Sequence, residues 1–248
     1  SYYPVQLKKD RLALLSKRKG FAFHAVDIAE HDALNAVPGL GTVDAVIHLA
    51  AQAGVRYSID NPFAYGQSNL IGHLSVLEFV RHHPNKPRLV YASSSSVYGA
   101  NAKAPFSEED RVDNPVSLYA ATKRSNELMS ESYAKLYAME QVGLRFFTVY
   151  GPWGRPDMAY WTFTRDIVEG RPIRVFNNGQ LNRDFTWIDD IVSGVVSTAL
   201  DQPRTPNPVL HRIYNIGNNR PVELGRFIEI VEDAVGKRAE KIMEPMQP

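Results

Sequence analysis

Apolar and polar positions along this chain follow two periods that take turns. Residues 6–17 mix charged and apolar residues at helical spacing, which predicts an amphipathic helix. "FAFHAVD" (21–27) alternates and predicts a strand. A short helical stretch is expected next. "DAVIHLAA" (44–51) is a continuous apolar run, the signature of a buried parallel strand. Asn61-Pro62 opens a long helix with Leu70, Leu74, Leu77 and Val80 on one face. "PRLVYASSSSVYG" is a second buried strand that ends in serines. Residues 117–136 are helical in pattern, and "VGLRFFTVYG" is a further strand. This order predicts an α/β fold, a doubly wound parallel sheet with helices on both faces.

The texture changes after Gly151. Pro and Gly become frequent, elements shorten, and Asn178-Gly179 signals a tight turn. The chain therefore divides into a sheet domain over 1–150 and a smaller mixed α/β lobe over 151–248. Residues 181–204 are expected to pack back on the first. Open parallel sheets bind ligands at the carboxyl ends of their strands. Those ends are Asp27, the run Leu49-Ala50-Ala51, the serines 93–96, and Phe147-Thr148.

Composition narrows the chemistry. Of 248 residues, 44% are hydrophobic, enough for a large core. A net charge of +1 provides no basic field for nucleic acid. Without cysteine, disulfides, thiolate catalysis and zinc-thiolate sites are excluded. No apolar run is long enough for a membrane span. His82 and His83 precede Pro84 with no carboxylate at ligand spacing; they read as a solvated helix end, and no metal site is expected.

One constellation stands out. The "LVYAS" strand runs into Ser94, and further on "LYAATK" places Tyr119 and Lys123 one helical turn apart, on one face. A phenol of pKa ~10 is a poor base at neutral pH unless a cation stabilises its phenolate. Lys123 would be that cation, and the Ser94 hydroxyl could hold a substrate oxygen. A buried aromatic beside a surface lysine would show the same spacing.

A wider set of segments decides between them. "HLAAQAGVRYS", "NLIGHLSVLE", "VYASSSSVYG", "SLYAATKRSNE", "LRFFTVYGPWGRPDMA" and "NRDFTWIDDIV" occur in this order. Together they resemble the extended short-chain dehydrogenase/reductase family, within it the nucleotide-sugar epimerases, and among those the UDP-glucuronate 4-epimerases. The resemblance covers essentially the whole chain. It implies a Rossmann-like fold, tightly held NAD and a UDP-sugar substrate. Tyr119 would take the C4 hydroxyl proton while the C4 hydride passes to NAD. The 4-keto sugar would turn over, and proton and hydride would return with inverted configuration. Lys123 would bind the nicotinamide ribose and keep Tyr119 ionised. Asp27 and Ile28 would meet the adenine, Leu49, Ala50 and Ala51 would pass beneath the pyrophosphate and ribose, and Asn69 would hydrogen-bond near the nicotinamide-side strand tips.

Residue types at the tips separate siblings within the resemblance. Family members that dehydrate sugars carry an Asp-Glu pair before "VYG", and those that decarboxylate carry a Glu immediately before it. Here Ser95 and Ser96 stand there and have no carboxyl to lend. UDP-glucose/galactose epimerases usually carry Asn where this chain has Thr148. The guanidinium of Arg155 matches a substrate carboxylate as a bidentate fork, with Ser95, Ser96 and Thr148 as further donors. Arg183 is the candidate pyrophosphate clamp, and Arg174, Val175 and Phe176 the uracil wall. The alternatives are a UDP-glucose/galactose 4-epimerase, a UDP-glucuronate decarboxylase, or a non-catalytic nucleotide-binding protein on the same fold.

The dinucleotide fold calls for a glycine-rich turn after its first strand, and no Gly-x-x-Gly-x-x-Gly occurs in this chain. In the family it precedes the segment resembling "SYYPVQLKKDRLALL". The chain is expected to be a piece of a longer protein at both ends, and by itself to bind NAD poorly. A homodimer through helices 61–82 and 117–136 is implied, as is a cytoplasmic location unless a preceding segment carries a signal.

Overall fold

The computed structural model describes residues 3–30, 32–101, 103–201 and 209–245. Nine strands are formed among the described residues: β1 (Ala45–His48), β2 (Arg88–Ser94), β3 (Gln141–Phe146), β4 (Thr148–Tyr150), β5 (Ile173–Phe176), β6 (Asn182–Trp187), β7 (His211–Ile216), β8 (Pro221–Glu223) and β9 (Lys241–Glu244). The larger unit comprises His24–Phe147 and Asp189–Ile216. Its sheet has the order β1-β2-β3-β7, and every pair is parallel. The smaller unit comprises Ser1–Phe23, Thr148–Ile188 and Gly217–Pro248, with a β4-β6-β8 sheet and a β5-β9 pair. The division differs from the expected one at three places, the first being that Thr148 to Tyr150 group with the smaller unit. Residues 1–23 group with the smaller unit, and the stretch that rejoins the sheet is 189–216, not 181–204.

Eight α-helices accompany the strands among the described residues: α1 (Val5–Leu15), α2 (Tyr57–Asp60), α3 (Pro62–Tyr65), α4 (Gly72–His82), α5 (Leu118–Tyr137), α6 (Ala159–Val168), α7 (Ile188–Val196) and α8 (Leu224–Val235). A π-helical turn, Gly66–Ile71, joins α3 to α4. The apolar face of α4 is buried where its period aims it, whereas α1 buries no residue and β1 leaves Ile47 exposed. Val76, Leu77 and Val80 of α4 pack on Leu89 and Tyr91 of β2. Gly143 in β3 makes room for Tyr91, since a Cβ there would lie 2.5 Å from the tyrosine oxygen. In the smaller unit, Ile167 of α6, Ile173 and Val175 of β5, and Leu224, Ile228 and Val231 of α8 form a separate core.

Four expectations change. Residues 21–27 form no strand and are exposed, because alternation makes a strand only where a neighbour supplies the ladder. The helical stretch expected after them is a run of turns ending in one 3-10 turn, Leu40–Thr42. The strand expected across 141–150 is two strands in different sheets. Phe147 separates them, packed against the Val97, Tyr98 and Val112 cluster. His83 is buried, not solvated, and its Nε2 meets the Leu40 carbonyl at 2.7 Å.

Under the sheet, the His48 ring at the end of β1 stacks on His73 of α4, with centroids 5.3 Å apart. His73 Nε2 lies 3.0 Å from Ser130 Oγ, while its Nδ1 is buried without a partner. Burial, and then the charge of Lys123, push His48 down to about 4. Burial, then His48 and Lys123, hold His73 well below its ordinary value. Both rings are neutral in the fold, so protonation favours the unfolded chain. Their contribution is fully present above about pH 6.5 and is lost as pH falls toward the folded values. His48 alone should cost about 2 kcal/mol of unfolding free energy between about pH 7.5 and about pH 5. Urea titrations at the two pH values measure this, and His48→Asn should flatten the difference. An unchanged midpoint in the wild-type protein would contradict the burial of neutral rings.

Candidate active site

The carboxyl end of β2 builds the centre of the larger unit. Ser94 caps the 3-10 turn Ser95–Tyr98, its Oγ accepting from Ser96 N at 3.2 Å and from Ser96 Oγ at 2.9 Å. Ser94 and Ser96 therefore present adjoining, half-buried hydroxyls. Gly99 closes this turn at φ +53°, where a Cβ would fall 2.0 Å from the Asn114 carbonyl. Any larger residue would push the serine tip out of place.

Ser117 starts α5 by accepting from Ala120 N at 3.1 Å, a side-chain N-cap. Two residues into the helix, the half-buried Tyr119 sets its ring edge-on to Tyr65, centroids 6.2 Å apart. One turn on, Lys123 is buried and donates to the Ala92 carbonyl of β2 at 2.9 Å. An ammonium has three donors, so this bond aims the group without exhausting it. Burial pushes Lys123 down to about 8. The lysine is thus a core group at the strand tip, and the reading of a surface lysine is set aside.

Next on the same helix face comes Glu127, which the sequence reading overlooked. Its carboxylate accepts from Ser93 Oγ at 2.6 Å, from Arg145 Nε at 2.8 Å and Nη2 at 2.9 Å, and from Arg124 Nη1 at 3.1 Å. Burial opposes its ionisation, yet Arg145, Ser93 and Arg124 hold its carboxyl below the ordinary value. Two signals were available. Tyr119, Lys123 and Glu127 recur every fourth residue, and Arg145 is a charge in an otherwise apolar strand.

The expected cofactor residues come from the stretch before β1, the loop leaving it and the π-helical turn. Asp27, Ile28, Ala50 and Ala51 line one cleft of about 480 Å³, together with Ala25, Val26 and Ser68. Gly72 belongs to its support, since a Cβ there would press on Ile28 at 3.2 Å. Small residues on one wall and a carboxylate on the other suit the nucleoside end of a dinucleotide. Leu49 is exposed beside this cleft and is not among its lining residues. Asn69 is buried; its Oδ1 accepts from Gln52 N at 2.7 Å, and its Nδ2 donates to Gln52 O and Thr122 Oγ1. Its amide braces the loop after β1 against α5.

The other expected substrate residues lie in the smaller unit. Thr148 starts β4, and Arg155 is ion-paired with Asp157 at 3.2 Å. Arg183, on β6, donates to the Asn182 carbonyl, and burial lowers its pKa. Arg174 is exposed and lies 3.8 Å from Glu244. The Val175 side chain belongs to the core, which leaves only its backbone for a ligand. Phe176 is half-buried at the end of β5.

A sequence profile of the NAD dependent epimerase/dehydratase family matches residues 4–217. The chain is 48% identical to Protein CapI of Staphylococcus aureus, over all of this chain and 77% of that one. It is 46% identical to a probable UDP-glucuronate 4-epimerase of Rhizobium meliloti, covering 99% of this chain and 76% of the relative. Its fold is similar to a crystal structure of UDP-glucuronic acid 4-epimerase from Bacillus cereus in complex with UDP-glucuronic acid and NAD. The TM-score is 0.88 at 33% identity, over 99% of this chain and 75% of that one. The chain belongs to the NAD-dependent epimerase/dehydratase family, on a Rossmann-like parallel sheet. No helix among the described residues is long and apolar enough to cross a membrane.

The cleft offers a direct test of cofactor binding. Ala51→Leu fills it with a branched side chain, and overpacking costs about 1–3 kcal/mol. The NAD dissociation constant measured by calorimetry should rise roughly tenfold or more. An unchanged constant would place the cofactor elsewhere.

Proposed function

We propose that this chain carries the catalytic machinery of a UDP-glucuronate 4-epimerase, interconverting UDP-glucuronate and UDP-galacturonate. The observation that carries it is the strand tip. Ser94 is retained beside buried Lys123 and Tyr119, while Ser95 and Ser96 put hydroxyls where an eliminating or decarboxylating enzyme needs a carboxyl. The similarity to the Rhizobium protein supports the same reading.

Bound NAD supplies a reversible two-electron acceptor for the sugar's C4. The chain manages the protons. Tyr119, as phenolate, takes the proton of the C4 hydroxyl and later returns it, so no proton is gained or lost over the cycle. Lys123, one turn away, favours the phenolate by its charge. Ser94 donates to the C4 oxygen. Asp27, Ile28, Ala50, Ala51 and Ser68 hold the cofactor, with Leu49 and Asn69 shaping the loop beside it. Ser95, Ser96, Thr148 and Arg155 hold the sugar carboxylate. Arg155 is already oriented by Asp157, and its five donors suffice for a second carboxylate. A carboxylate so held is kept from aligning its C–C bond with the neighbouring carbonyl, which suppresses loss of CO2. Arg183 neutralises the pyrophosphate, and Arg174, the Val175 backbone and Phe176 receive the uracil.

Turnover of UDP-glucuronate by the full-length holoenzyme tests the assignment, with product sugars separated chromatographically. Arg155→Ala should raise KM for UDP-glucuronate by about tenfold or more, the scale of a lost charged hydrogen bond, and leave any turnover of UDP-glucose unchanged. Equal effects on both sugars, or turnover of UDP-glucose alone, would sink it.

We also propose a homodimer through α3, the π-helical turn and α4 (62–82) and through α5. These helices lie side by side, joined by bonds from Asn126 to the Asn69 carbonyl and from Tyr133 to Glu78. Their outer surface exposes Ile71, Leu118, Leu128 and Phe63, the last at 88%. Sedimentation should give a dimer mass for the wild type and a monomer mass for Phe63→Asp. A Phe63→Asp/Leu128→Asp variant with the wild-type mass would rule this surface out.

A further inference from the structure

The Glu127–Arg145 pair costs desolvation at both ends and lies beside the serine tip, but the reaction as assigned does not use it. Its contacts show what it holds. Ser93 and Arg145 are direct partners in the β2–β3 register, and both reach the same carboxylate. Ser93 is the residue immediately before Ser94. The remaining reach of Arg145 goes forward, with Nη1 donating to Tyr98 Oη at 3.0 Å. Tyr98 ends the 3-10 turn that begins just after Ser94. Its hydroxyl also bonds Asn215 of β7 at 2.7 Å, and its ring stacks on Phe106 at 4.3 Å. The stretch carrying Ser94, Ser95 and Ser96 is thus fastened before and after by the two halves of one buried ion pair. Glu127 follows Lys123 by one turn on α5, so the fastening runs to the helix that carries Tyr119.

We propose that Glu127 and Arg145 are positioning residues that set the serine tip against Tyr119 and Lys123, acting through Ser93 and Tyr98. The proposal rests on the assignment of Ser94, Tyr119 and Lys123 as the reacting set. Neither Glu127 nor Arg145 takes part in proton transfer. They fix where Ser94 stands, and a misplacement on the order of 1 Å at a reacting group can cost about a hundredfold in rate.

Removing Glu127 or Arg145 would strand a buried charge and risk the fold, so the test uses the two hydroxyls at the ends of the tip. Ser93→Ala deletes one bond, and Tyr98→Phe deletes three, from Arg145 and to Asn215 and the Ser107 carbonyl; both leave the Glu127–Arg145 ion pair intact. In the full-length holoenzyme, each should lower kcat by roughly tenfold or more, with KM changed by less than about threefold and little change in Tm. Ser93→Thr keeps a hydroxyl in a strand and should restore most of the rate. Amide hydrogen exchange of residues 94–98 should speed up in both deletions, with α5 protection unchanged. Full kcat in both variants overturns the proposal, as does unaltered exchange at the tip, or a rate loss that follows Tm and is not rescued by threonine. If the wild type converts no UDP-sugar, the reaction assignment falls. The exchange measurement then stands alone: faster exchange at the tip supports the fastening, and unchanged exchange overturns it.

Discussion

A carboxylate buried inside a parallel sheet must collect donors or give up its charge, and the larger unit is arranged around the way Glu127 does so. Four N–H and O–H groups from β2, β3 and α5 converge on its two oxygens. Such a cluster tolerates little slack. Sliding β3 by one residue against β2 would point Arg145 to the opposite face and leave an unpaired charge in the core. The ion pair thus specifies register as well as adding contact energy, and it does so at the strand end where the chemistry is assigned. Lys123 works under the same constraint. It meets one backbone carbonyl, and burial lowers its pKa to about 8, so it keeps its charge at neutral pH by a narrower margin than an exposed lysine would.

How much was legible in the sequence depended on whether the information was local. The i, i+4 relation of Tyr119 and Lys123 and the serine run ending β2 are local, and each is found where its pattern aims; the apolar run of β1 forms its parallel strand but, at the edge of the described sheet, leaves Ile47 exposed. Residues 27, 28, 50 and 51, expected at the cofactor from the family resemblance, line one cleft, although no strand ends at Asp27. What failed was non-local. Residues 21–27 have a strand's alternation but no ladder partner among the described residues. The division at Phe147 depends on a side chain packing against residues far away in sequence. The Glu127–Arg145 pair is visible only once β2 and β3 are in register, and Gly72 matters only because Ile28 comes to rest against it.

The same contrast explains the residues that changed character. His83 looked like a helix-end histidine open to water, but the turn at residue 40 supplies a carbonyl that draws it inside. Asn69 looked like a ligand contact, and its amide is instead spent on Gln52 and Thr122. In both cases a polar side chain satisfies backbone groups that a curved connection would otherwise leave unpaired.

The π-helical turn between α3 and α4 has a geometric consequence of its own. An α-helix turns about 100° per residue, and a π turn spends an extra residue on each hydrogen-bonded ring. Tyr65 before the turn faces Tyr119, and His73 after it faces Ser130, so both halves meet α5 across the extra residue. The segment is therefore two helices counted from different origins. An insertion or deletion of one residue at the turn would be a rotation, where elsewhere in a loop it would be only a change of length.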